Sequence, residues 1–173
     1  MDDRRAAFEA LFAEHHPAVL RYIGRRVDQR EQARELAMDC FEVAWKRFDP
    51  QHPFGLPWLL RTAHNIVGDS YRRRDRERVG LAHLADIERL GPETGSHDHV
   101  ELSVAMDLLP EPDREVLMLV YWDGLSAADA AQVIGCRVPA VWKRLSRARD
   151  ALRALLDDDA TLPQEVNELA LDR

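Results

Sequence analysis

Three features of the sequence predict an all-α chain of two small helical domains joined by a flexible acidic linker. Apolar residues recur at helical spacing over most of the 173 residues, and no stretch alternates as a half-buried strand does. Glycine, proline and acidic residues gather between two such helical stretches. The second stretch closes on a short helix, a glycine turn and a longer basic helix, the order of a helix-turn-helix. A 46% hydrophobic content supports a core and excludes wholesale disorder. No apolar run approaches the ~20 residues of a membrane span. The start MDDRRAAFEALF is acidic and lacks the apolar stretch of a signal peptide. Cys40 and Cys136 stand outside any CxxC pair and make no disulfide framework, so a cytoplasmic, reducing setting is expected.

The first domain is expected over residues 4–78. Phe8, Leu11, Phe12, His15, Val19, Leu20 and Ile23 keep to one helical face, with Pro17 placed to kink or divide that helix. Leu36, Ala37, Cys40, Phe41, Ala44, Trp45 and Phe48 form the stripe of a second helix. The loop 49–55, with two prolines and a glycine, ends it. A third helix turns Trp58, Leu59, Ala63, Ile66, Val67 and Tyr71 inward and runs into the basic cluster at 72–78. Residues 79–103 read as the linker, with a short helix expected at 81–90.

The second domain is expected over residues 104–156. Asp113 is placed to cap a short apolar helix from Val116 to Tyr121. Asp123-Gly124 forms a turn, and Ser126 with Asp129 makes a capping-box variant that opens the next helix. Gly135 stops that helix, and Pro139 suits the first turn of the last one, whose inward stripe is Val141, Leu145, Ala148, Leu152 and Leu155. Residues 157–173 are an acidic tail with a short helix expected at 164–171. It reads either as a solubilising extension or as a mask over a basic surface.

Charge is distributed unevenly around the net value of −7. Residues 1–80 carry 15 basic and 13 acidic groups, whereas residues 81–106 carry 1 and 5 and residues 157–173 carry 1 and 6. Residues 137–149 hold five bases and no acid. Local charge sets how a surface meets phosphate, so the acidic total does not exclude nucleic acid.

The segments ELAMDCFEVAW at 35–45 and WLLRTAHN at 58–65, with Asp69 and Arg72-Arg73, carry a family likeness. So do Leu108-Leu109-Pro110, Leu125-Ser126, Ile134-Gly135-Cys136 and Arg144-Leu145 with Arg147-Ala148-Arg149. Together, in this order, they make the chain resemble bacterial RNA polymerase sigma factors of the extracytoplasmic-function (ECF) branch over about residues 8–156. The resemblance implies a sigma region 2-like domain that melts promoter DNA and a region 4-like helix-turn-helix domain. It implies a factor that binds RNA polymerase core through the β′ and β subunits, recognises the minus-ten and minus-thirty-five elements, and directs initiation. Promoter DNA and an anti-sigma factor are the further partners implied, with no membrane insertion.

Residue by residue, the second helix is similar to the segment that docks on a coiled coil of β′. Glu35, Asp39 and Glu42 would face that partner, while Phe41 and Trp45 pack there or in the core. Phe54, Trp58, Asn65, Asp69, Tyr71, Arg72 and Arg73 occupy the place of minus-ten capture. Asn65 and Asp69 share a helical face, an asparagine offers a donor and an acceptor to a base edge, and arginines clamp phosphates. Trp58 and Tyr71 read equally as stacking platforms or as core. On the last helix, Arg137, Lys143, Arg144 and Arg147 would point to minus-thirty-five DNA, with arginine suited to guanine edges or phosphate. Trp142 departs from the family pattern, which has a basic or small polar residue there; it packs on a neighbouring helix or touches DNA.

Other chemistry finds little support. His15-His16 are adjacent and point about 100° apart on a helix, a poor chelating pair, and His97-Asp98-His99 has no cysteine partners, so neither metal nor cofactor is expected. No phosphate loop, HExxH or catalytic triad order appears, so the chain is not expected to be an enzyme. Two alternatives to a sigma factor remain: a stand-alone DNA-binding regulator, or a sigma-like decoy controlled by an anti-sigma protein.

Overall fold

A computed structural model describes residues 2–80 and 97–156, in which every regular element is helical. The chain divides into two compact units, Met1–Arg89 and Leu90–Arg173. The first holds α1 (Asp2–Gly24), α2 (Arg30–Arg47) and α3 (Leu56–Gly80). The second holds α4 (His97–Leu108), α5 (Glu111–Leu117), a π-helical turn (Met118–Trp122), α6 (Ala127–Ile134) and α7 (Val138–Leu155). The linker expected over 79–103 is therefore helical at both described ends, where residues 79–80 finish α3 and 97–103 open α4. The short helices expected at 81–90 and 164–171 lie outside the described residues, as does the whole tail 157–173.

Helices α1, α2 and α3 form an up-down-up bundle. Arg4 and Phe8, early in α1, meet Trp45 and Phe48 at the end of α2. Arg74, late in α3, meets Gln32 at the start of α2. Pro17 does not divide α1. Pro17 and Ala13 both lie on the solvent side, where water takes the carbonyl that the missing N–H leaves. Tyr22, which the apolar stripe omits, is fully buried, and its hydroxyl lies 3.0 Å from Nδ1 of His64 on α3. A phenol pays no penalty inside when its oxygen keeps a partner. The inward stripe of α3 is Leu59, Leu60, Ala63, Val67 and Ser70; Trp58 and Ile66 are half-buried and Tyr71 is exposed.

An aromatic cluster closes the far end of this bundle. Phe41 is 2% exposed, with the rings of Phe8 and Phe12 set edgewise against it at 6.4 and 4.7 Å. Arg4 lies 4.0 Å over the Trp45 ring and donates to the carbonyls of Trp45 and Phe48 at 2.6 and 3.2 Å. It thereby adds a side-chain donor at the end of α2, where the Trp45 carbonyl also accepts the Phe48 N–H at 3.3 Å. Glu31 in the first turn and Lys46 and Arg47 in the last oppose the helix dipole favourably.

The second unit departs from expectation at α5. Pro110 is its N-cap, and Asp113 sits in the first turn as a buried residue rather than as the cap. Past Leu117 the helix widens into the π turn, closed by Asp123 N–H to the Met118 carbonyl at 3.0 Å. The extra residue buries Leu119 and leaves Trp122 exposed. Ser126 caps α6 by accepting the Asp129 N–H at 3.1 Å, and its own hydroxyl donates to the Asp129 carboxylate at 2.7 Å. Aspartate is too short to complete the reciprocal box in the usual way, and this hydroxyl bond replaces it. Gly135 ends α6 at φ 69°, in the left-handed region, and α7 starts three residues later, at Val138, with Pro139 in its first turn. The inward stripe of α7 is Val141, Leu145, Ala148 and Leu152, whereas Leu155 is 45% exposed.

Replacing Gly135 by Ala should destabilise the helix-turn-helix by about 1 kcal/mol, and by Asn less, because a Cβ disfavours left-handed backbone. Urea titration followed at 222 nm checks the order Gly, Asn, Ala. Cys40 supplies a second test. It is fully buried, its thiol donates to the Leu59 carbonyl at 3.4 Å, and burial pushes its pKa up from 9.0 to about 12. The folded state thus holds this proton more tightly than the unfolded chain. Its contribution is complete below pH 9 and is lost as pH rises toward 12, with a slope of at most about 1.4 kcal/mol per pH unit. A thiol reagent at pH 8 should label Cys40 only after denaturation; labelling in the native protein would contradict this burial.

Candidate functional site

The packing of Phe41 decides which residues α2 presents to solvent. With Phe41 inside, Glu35, Asp39 and Glu42 are exposed on the opposite side, at the i, i+4, i+7 spacing of one stripe. Met38, 54% exposed, joins them and was not among the expected site residues. Its signal was an apolar residue placed among acids on the outward face. Glu42 pairs with Lys46 at 2.5 Å, and that hydrogen bond holds its carboxyl below the usual range. Asp39 makes no ion pair among the described residues. Phe41 is removed from the partner surface by its burial. Trp45 keeps an exposed edge, but one ring face is taken by Arg4 and Phe8 packs edgewise on it. Both belong to the aromatic cluster.

The residues expected at the minus-ten site separate into four places. Phe54 and Trp58 stack on each other with centroids 3.8 Å apart and planes 8° apart, so each ring has already given one face. Asn65, Asp69 and Arg72 are exposed along one side of α3, and Arg72 pairs with Asp69 at 2.5 Å. Tyr71 points elsewhere: its hydroxyl donates to the Arg26 carbonyl and ties α3 to the connection before α2. Two residues past Asp69 on a helix is about 200° of rotation, which removes Tyr71 from the Asn65 face. Arg73 lines a groove of about 490 Å³ between α2 and α3, whose floor is Leu36, Val43 and Ile66. Asp39 and Glu42 line the same groove.

On the second unit, α6, the turn at Gly135 and α7 form the helix-turn-helix. The apolar stripe of α7 faces inward, leaving Arg137, Trp142, Lys143 and Arg147 exposed and Arg144 half-buried. Arg147 is not an unencumbered cation: its guanidinium donates to the Asp113 carboxylate at 2.7 Å. The Asp113 side chain is only 8% exposed, so the pair compensates an acid that would otherwise be buried alone. Lys143 and Arg147 are exposed on the outward side of α7, and Arg147 in addition bonds its own fold through Asp113. Arg147 anchors α7 on α5, and Lys143, like Arg137, is exposed without an ion pair among the described residues. Trp142 is 39% exposed and lies next to it. Among the described residues no group of three or more potential metal ligands comes together, and no helix is long and apolar enough to cross a membrane.

Replacing Asp113 by Ala should destabilise the second unit by about 1–2 kcal/mol, the low end for a charged hydrogen bond because Arg147 is more than half in water. Denaturant unfolding of D113A beside R147A checks this; a neutral D113A would mean that the pair does not hold α7.

Comparison with known proteins joins these surfaces. The family model for Sigma-70 region 2 matches residues 11–77, and that for Sigma-70 region 4 matches residues 99–152. The chain is 35% identical to the RNA polymerase sigma factor CnrH of Cupriavidus metallidurans over 89% of this chain and 88% of that protein. It is also 35% identical to the ECF RNA polymerase sigma factor EcfG of Rhodopseudomonas palustris, covering 73% of this chain and 72% of that one. Among solved structures, the sigma factor RpoE in complex with the anti-sigma factor NepR, from Bartonella quintana, matches with a TM-score of 0.69 and 25% identity. That match covers 88% of this chain and 98% of the other. CnrH in complex with the cytosolic domain of CnrY matches with a TM-score of 0.64 and 31% identity, covering 90% and 91%.

Proposed function

The chain belongs to the ECF branch of the bacterial sigma factors and directs transcription initiation by RNA polymerase, and from that premise we propose how its residues divide the work. The observation that carries the reading is the outward turn of α2, with Glu35, Asp39 and Glu42 along one solvent-facing stripe. This acidic stripe, with Met38 as an apolar contact, docks on a basic helical element of polymerase core. Exposed acids at a protein interface speed and orient docking of a basic partner.

In the same reading, Asn65 meets a base edge of the minus-ten element, Arg72 meets the adjoining phosphate, and Asp69 orients Arg72 through their 2.5 Å pair. The Phe54–Trp58 stack offers its remaining outer face as a platform for an extruded base. On α7, Lys143, with Arg137, Arg144 and Trp142 beside it, enters the major groove at the minus-thirty-five element, and Arg147 fixes the helix that carries them. An anti-sigma protein is a further partner, supported by the two complexes of similar factors. The factor works in the cytoplasm, where core polymerase meets DNA.

Run-off transcription with core polymerase and genomic promoter fragments tests this directly: a discrete start site should appear only when the protein is added. Asp39→Lys should weaken core binding about tenfold, roughly 1.4 kcal/mol, with unchanged melting. Lys143→Glu should leave core binding intact and reduce affinity for double-stranded upstream promoter DNA by a similar factor. Core affinity unaltered by D39K would remove the docking assignment, and DNA affinity unaltered by K143E would remove the recognition-helix assignment.

A further inference from the structure

The groove between α2 and α3 brings together residues that the linear sequence divides between two tasks. Asp39 and Glu42 on α2 stand in one wall, Arg73 and Arg76 on α3 in the other, above an apolar floor. Lys46 and Asp69 complete the charged lining, which balances to zero. A nucleic-acid strand needs a net positive surface, because each phosphate brings a charge and its counterions. Here a phosphate would meet the carboxylates of Asp39, Glu42 and Asp69 along with the cations. A groove with walls of opposite sign and an apolar floor instead suits an amphipathic protein helix.

The pattern of internal pairing narrows this further. Glu42 is engaged by Lys46, and Asp69 by Arg72, each within its own helix. Asp39 on one wall and Arg73 on the other make no ion pair among the described residues, although both line the same groove. Among the described residues Arg76, which lines the groove, engages one Nε–H, on the Arg72 carbonyl at 3.2 Å, and its two NH₂ groups have no bond of their own; they are the donors a partner would meet. A helix with a basic side chain toward Asp39, an acidic one toward Arg73 and Arg76, and an apolar edge between them would complete these three groups.

We propose that Arg73 and Arg76 are the second wall of the core polymerase docking groove and receive an acidic side chain of the polymerase helix whose basic side chain meets Asp39. This rests on the docking of α2 proposed above, and it moves Arg73 from DNA contact to protein contact. Orientation follows as well: charges of opposite sign on the two walls accept a partner helix in one direction and disfavour the reverse.

The test uses the full chain and core RNA polymerase without DNA. Binding of labelled protein to core is titrated for wild type, R73E/R76E, R73Q/R76Q and D39K. Run-off transcription is then read at core concentrations that saturate each variant. The inference expects R73E/R76E to lose at least about tenfold in core affinity, R73Q/R76Q to lose less, and transcription to recover once core saturates the variant. Core affinity of both arginine variants within twofold of wild type, with transcription lost at saturation, would overturn it and return Arg73 to DNA. In that case a loss in D39K would show that the docking of α2 itself stands. Unchanged core affinity in all three variants would overturn both assignments. The glutamine pair, judged by an unchanged melting curve, guards against a charge reversal that merely unfolds α3.

Discussion

The rotation of α2 about its axis is set by its buried stripe, in which Phe41 is the largest side chain, and most of what the first unit offers to partners depends on that rotation. Phe41 is held between Phe8 and Phe12, beside a second layer formed by Trp45 and Phe48. Burying a phenylalanine contributes about 1.5–3 kcal/mol, and turning α2 by a single residue would expose it. The same constraint holds Glu35, Met38, Asp39 and Glu42 in water and sets one wall of the groove against α3. Arg4 reinforces it from outside the helix by covering Trp45 and taking two terminal carbonyls. The docking surface is thus a by-product of core packing on the opposite face.

The second unit fixes its functional helix by a polar device as well as an apolar one. The stripe of Val141, Leu145, Ala148 and Leu152 determines which side of α7 is buried. The Asp113–Arg147 pair then ties it to a single point on α5. Leaving one partner of such a pair buried and alone is costly, so the contact selects against small shifts of α7 along its neighbour. Between the two helices, the left-handed residue Gly135 makes the turn tight enough for α7 to begin three residues later.

Charge in this protein works by locality. In a chain of net charge −7, α3 and α7 carry 11 of the 24 lysines and arginines, and several of those are already engaged by neighbours. Such pairing sorts arginines that look equivalent in sequence. Arg72 is oriented by Asp69, Arg74 is held by Gln32, and Arg147 is held by Asp113, whereas Arg73 and Lys143 remain for partners. An arginine that bonds its own fold contributes less to a foreign phosphate, because its fork of donors is finite.

The sequence by itself determined the all-helical class, the stripes of α2 and α7, the turn at Gly135 and the two-part family likeness. These rest on spacing and local backbone chemistry, which are visible along one dimension. Tertiary structure decided the rest. Phe41 is buried and Trp45 keeps only part of its ring in water because α1 brings Phe8 and Arg4 against them. Tyr71 became a tie to Arg26, and Asp113 became the anchor for Arg147 rather than a cap. Pro17 stayed within one helix because the Ala13 carbonyl, which its missing N–H leaves without a donor, lies on the exposed side. The groove pairing Asp39 with Arg73 was equally invisible, since those residues lie 34 positions apart in sequence and only helix packing places them on facing walls. Local periodicity says which side of a helix is buried, but partners distant in sequence decide which polar atoms are already taken.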